Sequence, residues 1–255
     1  MSPTMVRLVS LTRREVSRFM KIPRQTLGAP LLETFLYISV FGAALGSRVG
    51  DLDGYSYVVF VIPGLIMMAF AINAFTNNAS SILQQKFQRA IDDQLSSPAS
   101  PGQLLLAFTL GGFFRGLLIS MITFAVASLL VDLPVKHLYI LFPALFLVGW
   151  FFAQLGVFVG VRAEQFDDVS FAQTFILQPL IFLGGVFYSA SLLPEPYQTL
   201  TQFNPVYYMI SLVRYGFLGI ADISVWLCLA ALTAAAGALT LVNYRMFKSG
   251  YKLRS

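Results

Sequence analysis

The feature that most constrains this chain is a repeated run of apolar residues, each about as long as the hydrocarbon core of a bilayer is thick. A helix rises about 1.5 Å per residue, so about twenty apolar residues cross that core. Runs of this kind occupy residues 27–47, 57–78, 104–131, 138–161, 170–189 and 225–244. Only 11% of the 255 residues are charged, while 57% are hydrophobic. A soluble domain carries about 25% charge, so the apolar surface left over here needs lipid as its solvent. The pattern predicts an all-α integral membrane protein with six transmembrane helices.

Two segments fit that scheme less simply. Residues 4–24 hold Arg7, Arg13, Arg14, Arg18, Lys21 and Arg24 without the apolar core of a cleavable signal. Met5, Val9, Val16 and Met20 share one stripe at helical spacing, with Arg7, Arg14, Arg18 and Lys21 roughly opposite. This predicts an amphipathic interface helix with its basic side toward phosphate headgroups; a solvated basic tail is the other reading. Residues 190–223 contain Pro194, Pro196, the Asn204-Pro205 break and Arg214, which allows at most two short helices. With six crossings, thirteen of the seventeen basic residues lie on one side, together with both termini. The positive-inside rule makes that side the cytoplasm. A seventh crossing would separate the N-terminal basic cluster from Arg245–Arg254. Residues 190–223 are therefore expected to form a re-entrant outer hairpin between the fifth and sixth helices, shielded by protein.

Small residues indicate close helix packing: Gly112, Gly116 and Ser120 in the third span, Gly156 and Gly160 in the fourth, and Ala230 to Ala238 in the last. Polar groups inside spans need partners or a pathway. Asn73 and Asn77 lie on one face of the second span, and either interhelical bonding or a polar pathway accounts for them. Glu33 and Arg115 are at similar depths if both spans start from the inside, so they form a candidate intramembrane ion pair.

The sequence holds little recognisable reaction chemistry. The glycine-rich phosphate loop, the H-E-x-x-H pair and the nucleophile elbow are missing. The lone Cys228 and the lone His137 leave no metal set, and no cofactor is expected on this chain. The basic residues are spread over loops, which argues against nucleic acid as a partner. Residues 80–101 are different. Phe87, Ile91 and Leu95 recur every four residues, bordered by Lys86, Arg89, Asp92 and Asp93. An apolar stripe rimmed by both charge signs suits docking to a partner, or a helix lying at the interface. The acidic loop 162–168 is a second cytoplasmic segment.

These residues resemble a known family. The segment Lys86-Phe87-Gln88-Arg89 through Pro98, then Pro179-Leu180, Leu183-Gly184-Gly185-Val186-Phe187-Tyr188, Leu193-Pro194, Asn204-Pro205 and Arg214-Tyr215-Gly216 follow in an order similar to that of ABC-2 type exporter membrane subunits, in the YadH-like bacterial branch. The resemblance covers almost the whole chain. It implies a permease that is not itself an enzyme, in the bacterial inner membrane. It also implies a homodimer joined to a separate cytoplasmic ATPase in a 2+2 complex, with ATP and magnesium on that partner. By position, Lys86, Phe87, Arg89, Ile91, Asp92, Asp93 and Leu95 would couple to the ATPase, with Asp167 and Asp168 in the second cytoplasmic loop. An outer gate would lie near Phe187, Tyr188, Tyr207 and Tyr208. An ion-coupled carrier or channel and a lipid-modifying enzyme are the competing classes. The first would run on an ion gradient alone, and the second would need clustered acids or histidines. A lipid-like or amphipathic substrate is expected from the scarcity of charge along the spans.

Overall fold

An apolar run sets where a helix starts, but its buried polar partners decide how far it continues. A computed structural model describes residues 3–40 and 50–253. Residues 41–47 of the first expected span, together with Arg48 and Arg254, lie outside the described residues. The N-terminal helix α1 is Pro3–Met20. A π-helical turn at Arg24–Gly28 leads into α2, Ala29–Val40. A tight antiparallel hairpin follows, β1 Asp51–Leu52 with β2 Tyr55–Ser56, in register Asp51↔Ser56. Asp53 and Gly54 between them both take positive φ, 49° and 82°. An Asp-Gly pair suits such a two-residue turn.

Next come α3, Tyr57–Phe87, and the short α4, Ala90–Ser96. Then follow α5, Pro101–Leu130, and α6, Leu138–Arg162. A helical run continues as α7 Phe166–Phe171, a π-helical stretch Ala172–Leu177, and α8 Gln178–Leu183. The final elements are a 3₁₀ turn Ala190–Leu192, α9 Tyr197–Gln202, α10 Pro205–Leu218 and α11 Val225–Ser249. Among the described residues four helices, α3, α5, α6 and α11, are long and apolar enough to cross a membrane. The expected fifth span is interrupted by the π-helical stretch Ala172–Leu177, while the first starts within the π-helical turn Arg24–Gly28 and runs beyond the described residues.

Helix α3 is the centre of the molecule, packed between α5 and α6. Close approach depends on missing side chains. A Cβ on Gly156 would meet the Phe75 carbonyl oxygen at 2.3 Å, and one on Gly149 would meet the Phe70 ring at 2.2 Å. The glycines of α5 and α6 thus admit the phenylalanines of α3, consistent with small-residue packing in membranes. The alanines of α11 behave otherwise: Ala230, Ala231, Ala234 and Ala238 are exposed, and Gly237 has open space beside it. Among the described residues nothing covers that face.

α3 is also longer than the 57–78 expected for its span. Its 31 residues extend about 46 Å. Ser81 and Gln85 look in sequence like the polar end of a span, yet both are buried and satisfied by α1. Residues 80–87 therefore belong to α3 rather than to a separate cytoplasmic helix.

Candidate coupling surface and outer gate

One end of the bundle gathers α4, the start of α5, the loop after α6, and both chain ends. Gln103 Nε2 donates to the Thr4 carbonyl at 3.0 Å, and Arg7 Nη1 to the Pro98 carbonyl at 2.8 Å. Near the other terminus, Lys252 Nζ donates to Glu164 Oε1 at 2.7 Å. Leu253 is buried beside Ile91, Phe108 and Phe247.

The end of α3 is fixed against α6. Lys86 Nζ donates to the Val161 and Ala163 carbonyls at 3.0 and 2.6 Å. These carbonyls lie at the C-terminal end of a helix, where acceptors lack intrahelical partners and favour a cation. Arg89 then takes a left-handed conformation, φ 55°, and breaks the helix. That break corrects the expected stripe. Phe87 is 57% exposed and stacks on Phe166, with ring centroids 5.4 Å apart and planes at 19°. Ile91 is 3% exposed and packs inward with Ile82, Leu104 and Leu105, and Leu95 rests partly buried against the same cluster. The three residues do not share one outward face. Arg89 and Asp93 are exposed and Asp92 partly so. The two acids occupy the first turn of α4, where the helix dipole favours negative charge.

The 163–168 loop is held by its own charges. Asp168 Oδ2 accepts from the backbone amides of Glu164 and Gln165, which holds its carboxyl below the usual range. The Lys252 ammonium likewise lowers Glu164, and Glu164 raises Lys252. Asp167 is exposed beside them. Phe166, Lys252 and Leu253 were not singled out by the sequence. An aromatic in a short acidic loop was the one available signal for Phe166, while nothing in the sequence pairs residue 252 with 164.

Deeper along α3, α1 places a buried carboxylate. Glu15 is 1% exposed and accepts from Ser81 Oγ at 2.6 Å and Gln85 Nε2 at 3.0 Å. Arg14 and Arg18 face the same carboxylate at 3.1 and 3.5 Å. Arg14 also reaches Gln85 and Gln94, and Gln94 bonds Gln85 in turn. Arg18 Nη2 donates to both the backbone carbonyl and Oδ1 of Asn77 at 2.9 Å. The expected orientation of α1 is therefore reversed at Arg14 and Arg18. Their guanidinium groups face protein, while Met5, Val9 and Met20 on the apolar stripe are exposed.

Asn77 is fully buried and committed to Arg18 and to Asn78, so it opens on no pathway within one chain. Asn73 donates to the Ala69 carbonyl and borders a small cavity of about 30 Å³ with Glu33 and Tyr37. The expected Glu33–Arg115 ion pair does not form. Glu33 faces the Tyr37 hydroxyl, and Arg115 has Arg18 as its charged neighbour. The reason is depth. Because α1 already runs along α5 from Gln103 to Gly111, α2 begins farther along. Thr34 meets Thr123 at 3.2 Å, eight residues and about 12 Å beyond Arg115.

At the opposite end, Arg214 of α10 is 3% exposed. It donates to the Gly185 carbonyl at 2.7 Å, faces Asp222 at 3.9 Å and lies 3.9 Å over the Phe60 ring. One cation thereby joins α3, α10 and the turn after α8, where Gly185 has φ 91°. Asn204 caps α10 through Val206 N and donates to the Leu180 carbonyl at 2.6 Å. Phe187 stacks on Phe182 at 5.5 Å. Tyr188 and Tyr208 are partly buried and donate to the Leu183 and Gln202 carbonyls, and Tyr207 is buried. Leu180, Leu183, Tyr188, Leu200 and Phe203 help line an apolar cavity of about 430 Å³.

Long apolar helices packed through glycines, with charged loops at their ends, define a polytopic membrane protein. Residues 6–218 match the family model described as ABC-2 type transporter, and the chain belongs to that family. It is 40% identical over 250 residues to the inner membrane transport permease YadH of Escherichia coli K12, covering 98% of each chain. It is 25% identical over 229 residues to nodulation protein J of Rhizobium meliloti, covering 89% of this chain and 87% of that one. Nodulation protein J of Rhizobium leguminosarum bv. trifolii is 27% identical over 212 residues, 83% of this chain and 81% of its own length.

Proposed function

We propose that this chain is the permease subunit of an ATP-driven exporter in the bacterial inner membrane, working as a homodimer with two copies of a cytoplasmic ATPase. The observation that carries the reading is the exposed Phe87–Phe166 stack at the bundle end holding both termini. An exposed aromatic pair rimmed by Arg89, Asp93 and Asp167 suits a protein partner, since aromatics and arginine dominate interface energetics. Similarity to an inner membrane transport permease supports the same reading.

In this scheme the run that begins with α2, and the interrupted run over residues 170–189, complete six crossings. Residues 190–223 return to the outer side. ATPase closure would push on Phe87, Phe166 and α4, and tight glycine packing would pass that push to α3, α5 and α6 as rigid bodies. The outer gate lies near Phe187, Tyr188, Tyr207 and Tyr208. The apolar lining of the outer cavity favours an amphipathic, lipid-like or drug-like substrate.

Co-purification tests the reading. A tagged chain should bring down a stoichiometric ATPase, and Phe87→Glu with Phe166→Glu should release it while the permease stays folded. ATPase association and transport unchanged in that variant would overturn the assignment. Stimulation of the complex's ATPase by hydrophilic solutes and not by lipids would overturn the substrate class.

A further inference from the structure

Arg115 has no counter-ion among the described residues. Its Nε is buried without a hydrogen-bond partner, and no ion pair reaches its guanidinium. It lies one turn past Gly111, which touches Glu15, and its charged neighbour is another cation, Arg18. Arg14 and Arg18 already share the one carboxylate nearby, Glu15. Arg115 is partly buried, and a cation at that depth without a partner is costly in a membrane, which points to an anion supplied from outside the chain.

The surroundings indicate which anion. The neighbour of Arg115, Arg18, lies in the last turn of α1, just before the elbow at which the π-turn leads into α2. Lys21 and Arg24 of that elbow are exposed and add two further cations. Thr26 holds the bend by donating its hydroxyl to the Phe19 carbonyl at 2.8 Å. Apolar side chains adjoin the charges: Ile22 in the elbow, Phe114 next to Arg115, and Leu32, Phe35 and Leu36 along α2 are all exposed. A site that is cationic at one point and apolar around it matches a ligand with a phosphate and acyl chains.

We propose that this elbow binds the phosphate of an anionic phospholipid, with Arg115 and Arg18 as inner contacts and Lys21 and Arg24 at the rim. Its acyl chains lie against α2. Assignment to the inner leaflet rests on the topology proposed above; binding itself does not.

The test is a titration of the purified full-length protein in neutral detergent. Phosphatidylglycerol, phosphatidylcholine and inorganic phosphate are added separately, and bound lipid is read by native mass spectrometry alongside the melting temperature. Phosphatidylglycerol should bind saturably, raise the melting temperature and weaken with salt, while the other two do neither. Arg115→Gln should weaken binding about tenfold or more, because charge-assisted bonds to phosphate are lost. The paired rim variant Lys21→Gln with Arg24→Gln is exposed, keeps the fold and should weaken it several-fold. It decides the matter if Arg115→Gln does not fold. Equal binding by both variants overturns the proposal. So does saturation by phosphatidylcholine, which would mean an apolar groove only, or by inorganic phosphate, which would mean a free-anion site. A change in oligomeric state for Arg115→Gln with lipid binding intact would assign the counter-ion to a second copy and also overturn it. Failure of the topology alone would move the leaflet and leave this titration unaffected.

Discussion

Arg214 shows what a single residue can hold together. Its guanidinium bonds the Gly185 carbonyl, faces Asp222 and covers the Phe60 ring while nearly inaccessible to solvent. Arg214→Gln should destabilise the protein by about 3 kcal/mol, since it strands Asp222 and a buried carbonyl. Arg214→Lys should recover only part of this, because an ammonium cannot reproduce the planar fork over the ring. Thermal unfolding in detergent measures both, and a Lys variant as stable as the parent would contradict this account. Gly156 is the second single-residue case. Gly156→Ala puts a methyl 2.3 Å from the Phe75 oxygen and should cost about 2 kcal/mol through displacement of α3 from α6. Gly237→Ala, with open space around it, should be neutral or slightly stabilising in the same assay, because Ala is the better helix former.

Among the elements, α1 and the 163–168 loop carry the sharpest expectations. Glu15 is the carboxylate through which α1 grips α3, so Glu15→Gln leaves Arg18 without its charge partner. About 3 kcal/mol of the α1–α3 association should be lost. Hydrogen exchange should rise across residues 3–20 and stay unchanged in α6; uniform protection would contradict it. The loop responds to pH. Glu164 and Asp168 have lowered folded values, so their contribution is complete above the ordinary carboxylate values of 4.5 and 3.8. It is lost as pH falls from there through the folded values. Lys252 is raised above 10.5, so its contribution is complete below that and fades only as pH climbs through the folded value. Exchange in residues 163–168 should therefore be slow across neutral pH and quicken below about pH 4.5, with Lys252→Met removing the Glu164 part of the effect.

For the whole molecule, the expectation is one of sides. Thr4 and Lys252 lie at the same end of the bundle, and the Asp53-Gly54 turn follows the opposite polarity along α3. Cysteines introduced at Thr4 and Tyr251, in a Cys228→Ser background, should react with an impermeant maleimide only after the membrane is opened. A cysteine at Asp53 should react from outside in intact cells. Labelling of Tyr251 from outside while Thr4 stays protected would require an odd number of crossings, and labelling of both would invert the chain; either would remove the proposed topology.

The apolar runs by themselves determined that this chain is a helical membrane protein, and placed α3, α5, α6 and α11 to within a few residues at most boundaries. Burial in lipid is a property of composition and length, so it can be read locally. The order of short motifs determined the family. What the tertiary structure alone decided was the pairing of polar groups. Ser81, Gln85 and Asn77 extend α3 rather than end it because Glu15 and Arg18, 59 to 70 residues distant, satisfy them. Phe87 and Ile91 part company because Arg89 takes a left-handed conformation that the spacing of apolar residues does not encode. Arg115 and Glu33 match in nominal depth, yet α1 shifts α2 along α5 and separates them. In each case the deciding interaction is between residues remote in sequence, and periodicity carries no record of it.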